Sequence, residues 1–351
     1  MTRSVIPLAR ICLTVLTTLA GAAPLPAPAP VPVGENAATW YRRAFEVLPD
    51  TANPDWAILE HPDAVRLDAP AIEFIRKHDP TFELLRKGAA CRQCDWGTDP
   101  KEGADAGLPH LTGARTLASL TRLRARLLFQ QRRHADAMDD VTALLTLSRH
   151  VGTEPFIMSK LIEAGVADSA VMAAAQGVAT APPDVARALM DKLERLPNSL
   201  PPADVVRRTG EWAVAEVRRS SGEGGAAAEV AALFDEASGH LTLPFEQSFV
   251  PVQRWETKRA AASEVARKAV PSLRTYRVAV AAAETRVQML YVAAAVRADG
   301  RREVFRFNEP HAKGPFTYHE LPGGFELESK LVLNNLPLKL TCKPAGDEIP
   351  F

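Results

Sequence analysis

Apolar positions recur every three or four residues along most of the chain, which predicts amphipathic helices. The clearest stripe begins at Ala114 and includes Leu117 and Leu120, and a second runs from Ala137 to Leu147. Because only a short polar segment separates the two stripes, we expect an antiparallel helical hairpin. Further helices are predicted over residues 36–48, 155–179, 183–196, 202–220, 226–238 and 272–298.

The pattern changes from helical to alternating at Gly300. Val304–Phe307, Phe316–Tyr318 and Phe325–Glu328 alternate apolar and polar residues, and turns rich in proline and glycine separate them. This is typical of short antiparallel strands. A sheet this small needs support, so we expect it to pack on the preceding helix. The predicted fold is mainly α: an array of antiparallel helical hairpins with a small C-terminal antiparallel β-sheet. The helical domain spans residues 35–299 and the β region spans residues 300–351.

The first residues have the features of a secretory signal. Arg3 and Arg10 precede or begin a short apolar stretch that ends in small residues, so residues 1–23 are predicted to direct export. The apolar stretch is about half the length of a membrane span. Cleavage and retention as an N-terminal anchor are the two alternatives. The expected location is the periplasm, the cell envelope or the extracellular space, with membrane contact only through this segment if it is retained.

Alternating prolines follow the signal in residues 24–34. They favour an extended linker of polyproline II type rather than a packed element. A tether is the simpler role, and recognition by a partner domain is the alternative.

Charge excludes one broad class of function. The 351 residues contain 42 Lys and Arg against 42 Asp and Glu, and removing the signal leaves a net charge of about −2. A protein that coats nucleic acid needs a strong positive excess, so no nucleic-acid partner is expected. Residues 253–277 hold a local positive excess that could contact anionic lipid or cell-wall polymer. The simpler interpretation is a surface helix balanced by acids elsewhere.

Glycine and proline concentrate between Cys91 and Gly113, which predicts a long loop. Loops of this length are often functional or locally pinned. Asp95, Trp96 and His110 are therefore candidate binding residues. The alternative is that Trp96 fills the edge of the core and that His110 caps a helix.

The cysteines allow several kinds of chemistry. In an oxidising compartment, Cys91 and Cys94 can form a local disulfide or a redox pair, and Cys342 can bridge to either of them. Buried thiols are a further alternative. Haem attachment is excluded because Asp95 stands where a histidine is required. The spacing to His110 and Cys342 fits no known zinc site, so no metal site is predicted.

The sequence contains no catalytic motif that unites several residues. Metalloprotease, serine-nucleophile and phosphate-loop motifs are absent. His319 and Glu320 are adjacent on a predicted strand, so their side chains point to opposite faces. No catalytic residue and no cofactor are predicted.

Two segments carry a resemblance to known proteins. Cys94-Asp95-Trp96-Gly97 and the block from Glu309 to Tyr318, continued at Gly324–Ser329, resemble an uncharacterised family of secreted or membrane-tethered bacterial helical proteins. The resemblance implies a helical body with a β cap, and no activity is assigned to that family. Glu309 replaces the aspartate of the family pattern, which puts any role of that aspartate as a ligand in doubt.

Two shorter resemblances concern parts of the chain. The segment Arg133–Val141 resembles the second helix of a tetratricopeptide repeat, without the tryptophan, glycine and closing proline of the repeat. The C-terminal block is also similar to the ending of some pseudopilin-like proteins. Membership of a secretion apparatus would require the N-terminal segment to remain as an anchor.

These observations lead to two main hypotheses. The first is an exported, non-enzymatic protein that binds an unidentified protein or supports an envelope structure. The alternative is an envelope redox accessory or enzyme with a site around the Cys91–Gly113 loop. The sequence does not define the partner or the oligomeric state.

Overall fold

The protein has the predicted mainly helical fold with a small antiparallel sheet at the C-terminal end, which confirms the fold class. A computed structural model describes residues 36–49, 56–99, 107–221, 224–333 and 335–344. The predicted signal and linker, residues 1–34, lie outside the described residues. The helices of the described part are α1 Ala37–Glu46, α2 Ala57–Glu60, α3 Ala69–Lys77, α4 Asp79–Ala89, α5 Pro109–Gln130, α6 His134–Val151, α7 Ile157–Val178, α8 Pro183–Glu194, α9 Pro202–Ser221, α10 Gly224–Leu241, α11 Phe245–Ala261, α12 Glu264–Ala269 and α13 Leu273–Asp299.

The hairpin of α5 and α6 forms the centre of the larger hydrophobic core. Leu117, Leu120 and Leu144 are fully buried there, together with residues of α7 and the second half of α13. Helix α5 starts at Pro109, earlier than the apolar stripe, because proline at the first helical position lacks only an N–H that would be unpaired anyway. Arg132 has a positive φ of 58° in the short turn between the two helices.

A second hydrophobic core is formed by α9, α10, α11, α12 and the beginning of α13. Trp255 is fully buried in it, and its Nε1–H donates to the carbonyl oxygen of Leu233 at 2.9 Å. The predicted break at residues 239–251 is shorter than expected, because α11 begins at Phe245 and contains Pro251. Helix α13 contributes its first turns to this core and its later turns to the larger one.

The sheet comprises β1 Thr317–Leu321, β2 Gly324–Leu333 and β3 Leu336–Cys342 in the order β1-β2-β3, and both pairs are antiparallel. Alternate residues of β2 and β3 are buried, because this face packs on α13 and α7. The opposite face of β2 carries Glu326, Glu328 and Lys330 and, near the end of the strand, the exposed Val332. The sheet is therefore a cap with one buried face, and β1 and β3 are its edges.

One strand prediction was wrong. The segment predicted as a strand at Val304–Phe307 lies mostly in a 3₁₀ helix, Arg301–Arg306, which directly follows α13. Gly300, with φ of 102°, ends α13 and turns the chain into this helix. Four alternating residues were too few to distinguish a strand from a 3₁₀ helix. The third strand is β3, whose Pro337 obscured the pattern, although proline is tolerated on an edge strand.

One stretch of the described residues, Glu264–Asp299, is long and apolar enough to cross a membrane by length and composition, since its most apolar 18-residue window has a mean hydropathy of 1.2. However, 61% of its most apolar window is buried inside the protein. Its apolar residues are accounted for by the two cores that α13 joins.

Candidate functional site

The first described part of the Cys91–Gly113 loop, residues 91–99, packs against α1. The amide N–H of Ala37 donates to the carbonyl oxygen of Gln93 at 2.9 Å. The side chain of Asn36 accepts from the amide of Asp95 at 2.9 Å and donates to the carbonyl oxygen of Asp95 at 2.8 Å. These bonds fix the loop backbone to the start of α1.

Trp96 points from this loop into the core and is only 4% exposed. Its indole ring stacks on the imidazole of His110, with ring centroids 4.2 Å apart and planes 12° from parallel. The rings of Tyr41 and Phe45 stack on it at 5.8 and 6.3 Å. The indole Nε1–H donates to the carbonyl oxygen of His150 at 3.0 Å. Trp96 therefore fills the space between α1, α5 and α6.

His110 lies in the first turn of α5 and is paired with a buried carboxylate. Its Nε2 lies 2.8 Å from Oε2 of Glu154, which also accepts from the hydroxyl of Ser159 at 2.9 Å. The hydroxyl of Thr98 donates to the other oxygen, Oε1, at 2.5 Å. His110, Glu154 and Ser159 are all buried. The serine hydroxyl is bonded to the carboxylate rather than to the imidazole, so this set lacks the order of a nucleophilic triad. Its effect is to join the loop to α7.

His150 extends this buried network. Its Nδ1 and the hydroxyl of Tyr41 are 2.9 Å apart, and the His150 side chain is almost completely buried. Burial lowers the pKa of His150 to about 4, because a charged imidazole is poorly solvated in the core. Nε2 of His150 has no hydrogen-bond partner among the described residues. The imidazole is therefore neutral at physiological pH.

The candidate binding residues Asp95, Trp96 and His110 have three different roles. Trp96 and His110 face inward and stack on each other, whereas Asp95 is exposed and accepts from the amide of Gly97 at 2.8 Å. His110 does not cap the helix with its side chain. Residues 100–106 of the loop lie outside the described residues.

The three cysteines Cys91, Cys94 and Cys342 are not at disulfide distance from one another. The thiol of Cys91 donates to the carbonyl oxygen of Lys87 at 3.4 Å. Burial raises the pKa of Cys94 and of Cys342 well above the usual value, and it raises the pKa of Cys91 as well. A thiol with a raised pKa is a weak nucleophile at neutral pH. The geometry shows neither a disulfide nor an activated thiolate at these positions.

A second buried polar cluster joins α7 to the segment before α9. Nζ of Lys160 lies 2.7 Å from Oε2 of Glu163 and also bonds Ser199, whose hydroxyl donates to the same carboxylate at 2.7 Å. Arg149 donates to Oε1 of Glu163 at 2.9 Å. The lysine donates to the serine hydroxyl rather than accepting from it, so it is not placed as a base for a serine nucleophile. Sequence reasoning missed this cluster because Arg149 and Ser199 lie outside α7, which carries Lys160 and Glu163, and the four residues form no motif.

The exposed face of the sheet carries a histidine and two glutamates, His319, Glu326 and Glu328, whose ligand atoms lie within 4.8 Å of one another. Nζ of Lys339 lies 2.9 Å from Glu326 and 2.8 Å from Glu328. An ammonium group therefore already occupies the position between the carboxylates that a metal ion would need.

The positive excess predicted at residues 253–277 is neutralised in part, through three ion pairs. Arg277 is buried, where it donates to the carbonyl oxygen of Leu243 and lies over the ring of Phe245. Lys258 pairs with Glu236. Further pairs in this region are Arg259 with Glu256 and Lys268 with Glu264. Arg254, Arg267 and Arg274 are exposed and have no ion pair among the described residues, so acids balance only part of this surface.

An opening lined by exposed charged and aromatic residues lies beside β1. A surface cavity of about 530 Å³ separates the 3₁₀ helix from β1, and a second cavity of about 270 Å³ adjoins it. Arg301 and Tyr318 line both cavities, so the two form one groove, which we call the β1 groove. The other residues that line the first cavity are Arg302, Val304, Phe305, Pro315, Phe316, Thr317 and Lys330.

The β1 groove is positively charged and partly apolar. Within the described ranges, no hydrogen bond or ion pair engages the side chains of Arg301 and Arg302, and both residues are exposed. Phe305 is 73% exposed between them and β1. At one end of the groove, Nζ of Lys330 donates to the carbonyl oxygen of Lys313 at 2.9 Å. Sequence reasoning missed this groove because it assigned these arginines and Phe305 to a strand region with no chemistry.

Comparison of the chain with models of protein families, with curated proteins and with solved structures finds no match. The class that the fold and the geometry define is thus a mainly helical protein with a β cap and a basic surface groove. The resemblance to a family of secreted helical proteins stays a prediction.

Proposed function

We propose that this chain is an exported, non-enzymatic binding protein whose helical body presents the C-terminal sheet and its groove to a partner in the cell envelope. The observation that carries the proposal is the contrast between two regions. The polar groups around Trp96 are turned inward and paired with one another. The arginines of the β1 groove are exposed and unpaired within the described residues.

The β1 groove combines residue types that are enriched in binding interfaces. A guanidinium supplies five donors in a rigid plane and is enriched in binding interfaces. An exposed phenylalanine beside it adds apolar area that becomes buried on association. Arg301, Arg302 and Phe305 combine the two features on one short helix.

Site-specific photo-crosslinking in the native cells tests this proposal. Phe305 is replaced by a photoreactive phenylalanine, and Val47 is replaced in the same way as a control, because it is 47% exposed and directly follows α1. We expect a discrete adduct from position 305 and none of the same mass from position 47. Identical adducts from both positions, or none from position 305, would overturn the proposal. Fractionation and N-terminal sequencing of the same cells test export and signal cleavage.

The redox alternative depends on Cys91 and Cys94. Burial raises the pKa of both thiols, which is the reverse of the activation that a redox pair requires. Thiol trapping of the exported protein separates the hypotheses. Reversible cycling of Cys91 and Cys94 between oxidised and reduced forms would favour the alternative, whereas a single fixed state would favour the binding function.

A further inference from the structure

We propose that the β1 groove binds an extended acidic segment of a partner protein, which adds to the sheet as a fourth strand along β1. This inference rests on the proposed binding function and specifies the chemistry of the partner. Backbone hydrogen bonds to β1 would provide affinity, and acidic side chains would meet Arg301 and Arg302.

The first argument is that one edge of the sheet is open. Strand β1 pairs with β2 on one side only, so alternate N–H and C=O groups face away from the sheet with no strand partner in the described part of the chain. Thr317 and Tyr318 are consecutive and project to opposite faces, yet both line the larger cavity. A cavity with such a lining opens at the strand edge rather than over one face.

The second argument is that the two edges of the sheet differ. Proline and lysine on an edge strand discourage pairing with another chain, and β3 carries Pro337 and Lys339. Strand β1 contains neither residue type. The edge beside the groove is therefore the one left able to accept another strand.

The third argument is charge. Arg301 and Arg302 approach the groove from the 3₁₀ helix, Lys330 from β2 and Arg297 from the end of α13. The acids nearby are mostly neutralised, since Glu303 pairs with Arg306 and Asp299 pairs with Arg187. Glu320 lies towards the end of β1 and is not among the residues that line either cavity. The groove thus selects a segment with negative side chains.

The fourth argument is length. The five residues of β1 extend for about 17 Å at about 3.4 Å per residue, and the larger cavity borders the first two of them, Thr317 and Tyr318. A single inorganic anion would occupy only the arginine end of such a groove. A single-stranded nucleic acid requires successive exposed aromatic rings for stacking. Among the rings that line the larger cavity, Phe316 is buried and Tyr318 is half-buried, which leaves Phe305.

The test measures binding of labelled peptides to the purified chain by fluorescence anisotropy at low ionic strength. The probe is a synthetic peptide of about six alternating valines and glutamates. One comparison peptide has lysine in place of glutamate, and a second keeps the acidic sequence but is N-methylated at alternate amides, which removes half of its backbone donors. We expect the acidic probe to bind at least about tenfold more tightly than either comparison peptide.

Paired variants connect the binding to the groove. The double variant Arg301→Gln and Arg302→Gln should weaken the acidic probe about tenfold. The matched control, Arg267→Gln with Arg274→Gln, removes two exposed arginines from another surface and should leave the affinity unchanged. Circular dichroism of each variant checks that it is folded.

Four outcomes overturn the inference. Equal binding of the N-methylated peptide would mean that the groove recognises anions without strand addition. If oligothymidylate binds more tightly than the acidic probe, and the probe displaces it, the groove is a nucleic-acid site. Dimerisation through β1, detected by light scattering and insensitive to the probe, would assign the edge to a second copy of the chain. If no probe binds but position 305 still crosslinks to a partner, strand addition fails and the binding function stands. If the crosslink also fails, both proposals fall.

Discussion

The indole of Trp96 and the imidazole of His110 stack face to face, with their centroids 4.2 Å apart. Trp96 and His110 lie on either side of the part of the Cys91–Gly113 loop that is outside the described residues. Their stacking therefore holds the two sides of the loop in contact. Glu154 and the carbonyl oxygen of His150 hold the outer atoms of the two rings. The Cys91–Gly113 loop, in which the sequence predicted binding or redox residues, is thus anchored to the core on both sides.

Replacement of Trp96 by alanine should be strongly destabilising. The change leaves a cavity beside three stacked rings and removes the hydrogen bond to His150, and truncation of a buried tryptophan costs about 3–5 kcal/mol. Urea denaturation followed by circular dichroism measures the free energy of unfolding. Trp40→Ala is the matched control, because Trp40 is half-buried and contacts Arg43 and Lys87 only through cation–π interactions.

We expect Trp40→Ala to cost about 1 kcal/mol. Equal losses for the two tryptophans would contradict the role of Trp96 as the residue that fills the core under the loop. Unchanged stability of the Trp96→Ala variant would contradict that role as well.

Protonation of His150 should make the protein less stable in mild acid. Its folded-state pKa of about 4 lies below the value of about 6.5 expected in the unfolded chain. As the pH falls from about 6.5 to 4, the unfolded chain therefore takes up a proton first. The stability that depends on neutral His150 is complete above about pH 6.5 and is lost towards pH 4, by about 2–3 kcal/mol in total.

Thermal or urea unfolding across this range measures the effect, and His150→Gln should remove that share of the pH dependence. His61→Gln is the control, since His61 is exposed at the end of α2. If His150→Gln and the parent protein lose stability in parallel as the pH falls, buried His150 is not the group responsible.

The sequence predicted secondary structure well where the structure depends on residues close together in the chain. The stripe through Leu117 and Leu120 predicted α5 because a helix repeats its environment every three or four positions. By contrast, Val304–Phe307 was misassigned because four alternating residues are compatible with a strand and with a 3₁₀ helix, and Gly300 decided between them by turning the chain.

The polar partners were not predictable in the same way. His110 and Glu154 are 44 positions apart and meet only because α5, α6 and α7 pack together. The loop residues were recognised as important from Trp96 and the turn formers around it, but composition does not reveal whether a side chain faces the core or the solvent. Unpaired Arg301 and Arg302 became visible only when the positions of all neighbouring acids were known.

Two helical glycines should respond in opposite ways to alanine. A Cβ on Gly88 would lie 2.4 Å from the ring of Tyr41, where α4 packs against α1. Gly165 in α7 has no atom within 4 Å of the corresponding position. We expect Gly88→Ala to cost about 1–3 kcal/mol through overpacking, and Gly165→Ala to stabilise by about 0.5–1 kcal/mol through helix propensity.

Thermal unfolding of both variants measures these shifts against the parent protein. The two changes add the same methyl group in a helix, so each serves as the control for the other. A stabilising Gly88→Ala would mean that Tyr41 does not pack on α4 as described.

Glu309 should stabilise the contact between β2 and the segment that follows the 3₁₀ helix. It is buried, and its carboxylate accepts from the hydroxyl of Ser329 and from the amide of Lys330 at 3.1 Å. The register of β2 shifts between Glu328 and Val332, so the Lys330 amide lies where the regular ladder is interrupted. Glu309→Ala leaves these buried donors unpaired and should cost about 2–3 kcal/mol.

Urea unfolding measures that loss, and hydrogen exchange at Lys330 reports the local effect. Glu303→Ala is the control, because it removes a carboxylate paired with the exposed Arg306 and should cost less than about 1 kcal/mol. Glu309→Asp introduces the residue of the resembled family pattern with one methylene fewer, so we expect an intermediate loss and faster exchange of the Lys330 amide. Unchanged exchange in Glu309→Ala would mean that another group holds that amide, and the carboxylate would then need a different role.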